Sequence, residues 1–165
     1  GVLCDIDSLR SLPVAEIRFD GLPKRMWRIV SYRSKWITGS DEDLGTVPSC
    51  PAEMPDALSA ELKQLALAAW RLVGGTGYGR VDMRIDRAGR PWIIEVNTNP
   101  DIAPDAGLAR MARAAGLDFG ALIRAICDEA LSRNQLSTDE RWALAQRLSG
   151  VGGDSAAMLL AVGEQ

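Results

Sequence analysis

Two segments rich in residues that favour strands, Tyr78–Ile85 and Pro91–Val96, are separated by Asp86-Arg87-Ala88-Gly89-Arg90 and limit the possible folds. Both segments suit extended backbone, and a short connection that runs from Asp to Gly is typical of a β-hairpin turn. The sequence therefore predicts two antiparallel neighbouring strands. Polar side chains inside these strands must share a face wherever they are two residues apart.

The register of this hairpin decides which polar side chains meet. With a two-residue loop, Asp82 faces Glu95 and Arg80 faces Asn97, and all four side chains lie on one face. A three-residue loop with Gly89 in the left-handed conformation shifts the register by one residue. That shift separates the pairs unless a second bulge restores them.

Two opposed carboxylates on this face predict a nearby cation. Like charges directly across a strand pair cost roughly 0.2–1 kcal/mol even when exposed. Oxygen-only donors from Asp82, Glu95 and Asn97 suit Mg²⁺ or Mn²⁺ better than Zn²⁺. The alternative is an ion pair in which Arg80 neutralises Asp82 without a metal, and spacing alone leaves both interpretations open.

Composition excludes several other kinds of site. The 165 residues include no His, which rules out Ser-His-Asp and Cys-His nucleophiles within this chain. Cys4, Cys50 and Cys127 are widely spaced and predict three buried thiols in a reducing cytosol. A net charge of −3 argues against a nucleic-acid partner. No segment is apolar for the roughly 20 residues that a membrane span needs.

Periodicity and turn residues predict the remaining elements. Apolar residues recur at helical spacing between Asp56 and Val73, where Gly74-Gly75 ends the helix. The other predicted strands are Val2-Leu3-Cys4, Val14–Phe19 and Arg25–Tyr32. A long surface loop is predicted over Arg33–Pro55. The other predicted helices are Asp105–Ala115, Phe119–Leu131, one opened by a capping box at Ser137 and running through Leu148, and a last short helix after Gly153.

The hairpin sequence resembles a known family. Gly79-Arg80-Val81-Asp82-Met83-Arg84, followed by Ile94-Glu95-Val96-Asn97-Thr98-Asn99-Pro100, looks like the metal-binding hairpin of the ATP-grasp ligases, and specifically of the D-alanine–D-alanine ligase group. The resemblance covers residues 1 to 131. It continues through Pro104-Asp105-Ala106-Gly107-Leu108-Ala109-Arg110, Ala112-Arg113-Ala114-Ala115-Gly116-Leu117, Leu12-Pro13-Val14-Ala15-Glu16-Ile17 and Tyr32-Arg33-Ser34-Lys35-Trp36.

The resemblance implies a role for each candidate residue. The expected ligands of a pair of Mg²⁺ (or Mn²⁺) ions on the ATP phosphates are Asp82, Glu95 and Asn97. Arg80 is expected to contact the transferred phosphoryl group or the acyl phosphate, Lys35 to reach the γ-phosphate, and Trp36 to close over the site. The alternative for Lys35 is a solvated charge on a polar loop.

The resemblance also implies a fold and an activity. The expected fold is α+β, with a mainly antiparallel sheet flanked by helices, as in the C-terminal lobe of an ATP-grasp fold. Residues 1–133 would form this lobe and residues 134–165 a helical tail. The expected activity is cytoplasmic ATP-dependent ligation of an amino-acid or peptide carboxylate to an amine, in the synthesis of peptidoglycan precursors or related peptides.

Two positions depart from the family pattern, and part of the family's fold is expected to lie outside this chain. Asp101 stands where the family commonly has Gly, and Ala106 where many members have a Ser that anchors the acceptor carboxylate. The N-terminal half would be on a missing segment or a partner chain, and the resemblance leaves room for a homodimer. Alternative functions are a non-catalytic nucleotide- and metal-binding lobe that pairs with a partner, or a ligase for another amino acid or peptide.

Overall fold

The structure is a computed structural model that describes residues 1–5 and 8–135, together with residues 139, 140, 143 and 146. Its elements, in chain order, are β1 (Val2–Asp5), β2 (Ser8–Ser11), β3 (Glu16–Arg18), α1 (Tyr32–Trp36), α2 (Asp41–Leu44), β4 (Val47–Ser49), α3 (Asp56–Leu72), β5 (Tyr78–Ile85), β6 (Pro91–Asn97), α4 (Gly107–Ala114) and α5 (Phe119–Gln135). Within the described ranges, no helix is long and apolar enough to cross a membrane.

One four-stranded antiparallel sheet, in the order β2-β1-β5-β6, organises the chain. Strand β1 is central, and its successive residues Val2, Leu3 and Cys4 are all buried. Because side chains alternate along a strand, Val2 and Cys4 face one side and Leu3 the other. The sheet must therefore be covered on both sides, and the predicted α+β fold with flanking helices is confirmed.

Helix α3 covers the first face of the sheet. Its buried side chains, Leu62, Ala66, Ala69 and Trp70, recur at three- and four-residue intervals. Ala66 and Trp70 pack in one cluster with Val2 and Cys4. Helices α4 and α5 cover the other face, where the buried cluster consists of Leu3, Leu12, Leu108, Ala109, Met111, Ala112 and Leu122.

The predicted strand over Arg25–Tyr32 is wrong. These residues form turns and bends, and Tyr32 already belongs to α1. Backbone bonds are made locally, from the amide of Met26 to the Pro23 carbonyl and from the amide of Ile29 to the Trp27 carbonyl. Trp27 is 85% exposed, so no packing partner stabilises extended backbone here.

The predicted long loop over Arg33–Pro55 is also wrong in part, because it contains α1, α2 and β4. Two serines begin the short helices. The Ser31 hydroxyl accepts from the Ser34 amide at 3.2 Å, and the Ser40 hydroxyl accepts from the Asp43 amide at 3.1 Å. Local caps of this kind can stabilise helices too short to show apolar periodicity.

The other predicted elements are confirmed with small shifts of their ends, apart from the tail. Helix α5 extends to Gln135, and β2 was not predicted. Residues 139, 140, 143 and 146 are helical. The predicted cap at Ser137 and the short helix after Gly153 lie outside the described residues, and the boundary between residues 133 and 134 stays a prediction.

The three thiols are free, but they are not all buried as predicted. Cys4 is buried, Cys50 is half-buried and Cys127 is exposed on α5. Burial raises the pKa of the Cys4 thiol, which keeps it protonated and unreactive. Cys127 is exposed because it lies on the solvent-facing side of α5, away from buried Leu122.

Candidate functional site

The turn of the β5–β6 hairpin has three residues rather than two. The amide of Asp86 donates to the Arg90 carbonyl at 2.9 Å, and the amide of Gly89 donates to the Asp86 carbonyl at 3.0 Å. Gly89 has a φ of +81°, in the left-handed region that favours glycine. This is the loop that shifts the register by one residue.

A β-bulge in β6 then restores the register. Beyond the bulge, which leaves Ile94 without a partner on β5, Asp82 pairs with Glu95 and Arg80 pairs with Asn97. The irregularity lies immediately after Asp82. The hairpin thus has both features of the second sequence prediction, a three-residue loop and a compensating bulge. The four candidate side chains share one face.

The Asp86 carboxylate holds the turn together. Its Oδ1 accepts from the amides of Ala88 and Arg90 at 2.8 and 3.0 Å. Its Oδ2 accepts from Arg90 Nε at 3.0 Å and Trp92 Nε1 at 3.1 Å. The hydrogen bond from the Arg90 amide, followed by the one from Trp92, lowers the pKa of Asp86. The carboxylate form therefore stabilises the hairpin end.

Arg80 and Asp82 form a two-point ion pair. Arg80 Nε lies 2.6 Å from Asp82 Oδ1, and Arg80 Nη2 lies 2.9 Å from Asp82 Oδ2. The hydrogen bonds to Asp82 raise the pKa of Arg80, and the carboxylates of Glu95 and Asp101 act in the same direction. Three carboxylates therefore act on the Arg80 guanidinium.

The oxygen donors around this pair fit a hard cation. Glu95 is exposed, and its side chain makes no hydrogen bond or ion pair within the described residues. Asn97 Oδ1 accepts the amide of Asn99 at 2.9 Å and keeps a second lone pair. Two opposed carboxylates and an amide oxygen suit Mg²⁺, which commonly completes its shell with phosphate oxygens. In the described part of the chain, no three His, Cys, Asp or Glu residues gather into a metal-binding group.

The backbone at the start of β5 is held by close packing against α3. A Cβ atom built on Gly79 would lie 2.2 Å from Trp70 Cζ3, and one built on Gly75 would lie 2.3 Å from Trp70 Cε2. Only glycine leaves room for the Trp70 indole, which is 1% exposed. Gly79 directly precedes Arg80 on β5, so this contact holds the backbone next to Arg80 in place.

Lys35 and Trp36 lie on helix α1 and not on the hairpin strands. Both are exposed, and Trp36 is 68% exposed. Within the described ranges, neither residue makes a hydrogen bond, ion pair or ring contact with the hairpin. The structure thus brings together Arg80, Asp82, Glu95 and Asn97, whereas the roles of Lys35 and Trp36 stay predictions.

Two residues near the site were not singled out from the sequence. The Tyr78 hydroxyl lies 3.5 Å from Asn99 Oδ1, and Arg84 contacts a segment between β3 and β4. The signal that could have found them is the period-two spacing, since Tyr78 and Arg84 fall on the same face as Arg80 and Asp82.

Comparison with known proteins identifies the family of this chain. The family model for the D-ala D-ala ligase C-terminus matches residues 2–128. The chain belongs to this family. The predicted resemblance is therefore confirmed, and the matched range includes the whole hairpin, the glycines beneath Trp70, and the loop that leads to α4.

Individual relatives match over shorter stretches. The chain is 40% identical over 81 residues to a D-alanine–D-alanine ligase from Bordetella petrii, covering 49% of this chain and 25% of that protein. It is 45% identical over 74 residues to one from Methylococcus capsulatus, covering 45% and 24%. In these matches, the aligned stretch spans about a quarter of the relative's length.

Solved structures show the same fold. The D-alanine–D-alanine ligase from Bacillus anthracis matches with a TM-score of 0.58 at 25% identity, over 79% of this chain and 38% of that one. Its complex with ATP matches with a TM-score of 0.56 at 23% identity, over 79% and 36%. These matches support the assignment of the fold to a ligase C-terminal lobe.

Proposed function

We propose that this chain forms the metal-binding part of an ATP- and Mg²⁺-dependent ligase that joins a carboxylate to an amine. The observation that carries the proposal is the β5–β6 register, which sets Asp82 opposite Glu95 and Arg80 opposite Asn97 on one face. Phosphoryl transfer needs positioning and charge stabilisation rather than an elaborate set of acids and bases. Membership of the ligase family supports this choice over a purely structural ion pair.

In the proposed mechanism, Asp82, Glu95 and Asn97 would hold Mg²⁺, which would neutralise phosphate charge. A substrate carboxylate oxygen forms a bond to the γ-phosphorus of ATP as the bond to the bridging oxygen breaks and ADP leaves. The amine nitrogen then forms a bond to the acyl carbon, phosphate leaves with the electron pair, and the nitrogen loses a proton. The product is an amide.

Arg80 is proposed to bind the transferred phosphoryl group. Its guanidinium has five N–H donors, and the ion pair with Asp82 engages only Nε and Nη2. The Arg80 side chain is 30% exposed, so a phosphate can reach the remaining donors. Asp82 thereby orients Arg80 as well as contributing a metal ligand. Lys35 is proposed to bind the γ-phosphate, and Trp36 to cover it.

We propose the substrates, the partners and the cellular compartment only as general classes. The substrates are amino acids or short peptides, for peptidoglycan precursors or related peptides. Ala106 would lie where the family binds the acceptor carboxylate, and the backbone amide of Asp101 would help to hold the developing oxyanion. The other nucleotide-binding groups come from the N-terminal part of the family's fold, in the same polypeptide or a partner. Three free thiols support a cytoplasmic setting. A homodimer stays a prediction.

The test is calorimetric measurement of ATP binding to the full-length protein with and without Mg²⁺, in wild type, Asp82→Asn, Glu95→Gln and a control, Glu61→Gln. Glu61 is exposed on α3. Loss of one metal ligand should weaken Mg²⁺-dependent binding by at least about a hundredfold, since even outer-shell changes cost 10–100-fold. The control should bind like wild type.

Two outcomes would count against the proposal. Unchanged ATP binding by Asp82→Asn, together with lowered stability, would assign Asp82 to the structural ion pair alone. ATP binding without phosphate release in the presence of any amino acid or dipeptide would favour the non-catalytic lobe.

A further inference from the structure

The segment between β3 and β4 is a folded unit that carries Lys35. Strands β3 and β4 pair with each other, with Arg18 opposite Val47. The two ends of residues 19–46 are therefore close together. We call these residues the 19–46 segment. Its two short helices, α1 and α2, are joined by an ion pair between Arg33 and Glu42 at 3.0 Å. The Ser40 hydroxyl also donates to the Arg33 carbonyl at 3.2 Å.

The two ends of this unit also pack closely together. A Cβ built on Gly45 would lie 2.7 Å from Leu22 Cδ2, and one on Gly21 would lie 3.0 Å from the Gly45 Cα. The start and the end of the segment are therefore in contact. The position of Lys35 follows the position of the whole segment, since an isolated helix of five residues has little stability of its own.

Arg84 joins this unit to the hairpin. Arg84 Nη1 donates to the Arg28 carbonyl at 2.9 Å. The Arg84 guanidinium carbon also lies 5.9 Å from the centre of the Phe19 ring, in a cation–π contact. Both partners belong to the 19–46 segment, one near its start and one shortly before α1. In the described ranges, this is the one side-chain hydrogen bond between the segment and the hairpin.

Arg84 stands beside the candidate site. It lies two residues after Asp82 on β5, and side-chain alternation puts it on the same face. We propose that Arg84 is a positioning residue that fixes the 19–46 segment, and with it Lys35, against the face that carries Arg80 and Asp82. This inference rests on the proposed function, because positioning Lys35 matters only where a phosphate binds.

The effect on nucleotide binding can be derived from the equilibrium between the attached and released segment. If nucleotide requires the attached segment, the apparent Kd equals the intrinsic Kd divided by the attached fraction. A charge-assisted hydrogen bond and an exposed cation–π contact together shift such an equilibrium by roughly tenfold. Saturating nucleotide restores attachment, so the KM for MgATP should rise up to about tenfold while kcat stays near wild type.

The experiment compares Arg84→Gln, Arg84→Lys and Arg87→Gln in the full-length protein. Arg87 is an exposed arginine at the turn of the same hairpin, without a hydrogen bond, ion pair or ring contact within the described residues. Lys retains the charge and a donor, so Arg84→Lys should rescue part of the effect. Arg84 is exposed, and none of these changes removes core packing.

The first readout is chymotrypsin cleavage after Trp27, Tyr32 and Trp36, mapped by mass spectrometry. This protease does not cut at arginine, so each variant keeps the wild-type cleavage sites. Arg84→Gln should be cut roughly tenfold faster than wild type in this segment, and Arg87→Gln at the wild-type rate. Equal cleavage rates in all proteins would overturn the attachment by Arg84.

The second readout is the split between KM for MgATP and kcat. A raised KM with kcat retained in Arg84→Gln, partly rescued in Arg84→Lys, supports the positioning role. Faster cleavage with an unchanged KM would overturn that role. Failure of the wild-type protein to bind ATP would overturn the proposed function and the positioning of Lys35 together, whereas the cleavage contrast would still decide whether Arg84 holds the segment.

Discussion

Gly79→Ala is the sharpest test of how the fold positions the site. The new methyl group would lie 2.2 Å from Trp70 Cζ3 and 2.3 Å from Cη2, well inside the 3.4 Å of ordinary contact. Neither the β5 backbone nor the Trp70 ring can easily move, because Gly79 is paired with Val2 in the sheet and Trp70 is 1% exposed. Overpacking of a core typically costs 1–3 kcal/mol, and we expect about 3 kcal/mol here.

The assay is denaturant-induced unfolding, with Gly107→Ala as the matched control. Nothing lies within 4 Å of a Cβ built on Gly107, which is the first residue of α4. Alanine there should be neutral or stabilising by up to about 1 kcal/mol. Gly79→Ala should also weaken MgATP binding, because any shift of β5 moves Arg80 off the face that it shares with Asp82.

A double-mutant cycle isolates the steric contact. Trp70→Phe removes the six-membered part of the indole that the methyl group would strike. Gly79→Ala should therefore cost about 1–2 kcal/mol less in the Trp70→Phe background than in wild type. Equal costs in both backgrounds, or a Gly79→Ala variant as stable as wild type, would refute the argument that Trp70 sets the position of β5.

Two further predictions concern charged groups outside the face that carries Arg80 and Asp82. The pKa of Asp86 is lowered in the folded state, so its stabilising effect is present above its unfolded pKa of about 3.9 and is lost as pH falls through the folded pKa. Urea unfolding should show Asp86→Asn less stable than wild type at pH 7, with the difference shrinking below about pH 4; a constant difference would contradict this. Glu129 is 4% exposed, and its Oε1 lies 2.7 Å from Arg133 Nε. Arg133→Met should lower the free energy of unfolding by about 2–3 kcal/mol and Glu129→Gln should restore part of it, whereas full additivity would exclude the pairing.

The candidate site shows how local and nonlocal information combine. Period-two spacing on β5 and β6 predicts which polar residues share a face on each strand, and it could be applied to the sequence directly. Whether the two faces coincide depends on the loop and on the bulge at Ile94. The sequence is compatible with either loop, because a bulge is stabilised by the pairing of the whole hairpin rather than by the residue that it leaves unpaired.

The wrong strand prediction and the missed short helices also result from information that apolar periodicity does not contain. The apolar run from Arg25 to Tyr32 looks like a strand, yet Trp27 and Ile29 are exposed and make no sheet pairing. β-propensity reflects packing on a pleated, half-buried surface, and the described structure offers no such surface there. The short helices α1 and α2 depend on single capping serines, whose effect is too local to appear as periodicity.

Periodicity and residue type are enough to predict helix α3, the β5–β6 hairpin, the lack of His side chains in this sequence and the candidate oxygen donors. Tertiary contacts set the register at Asp82, the packing of Trp70 on Gly79, and the contact of Arg84 with the 19–46 segment. These features join residues that lie on different elements and are separated along the chain. Arg84 meets a carbonyl 56 residues earlier, and that separation leaves no local signal.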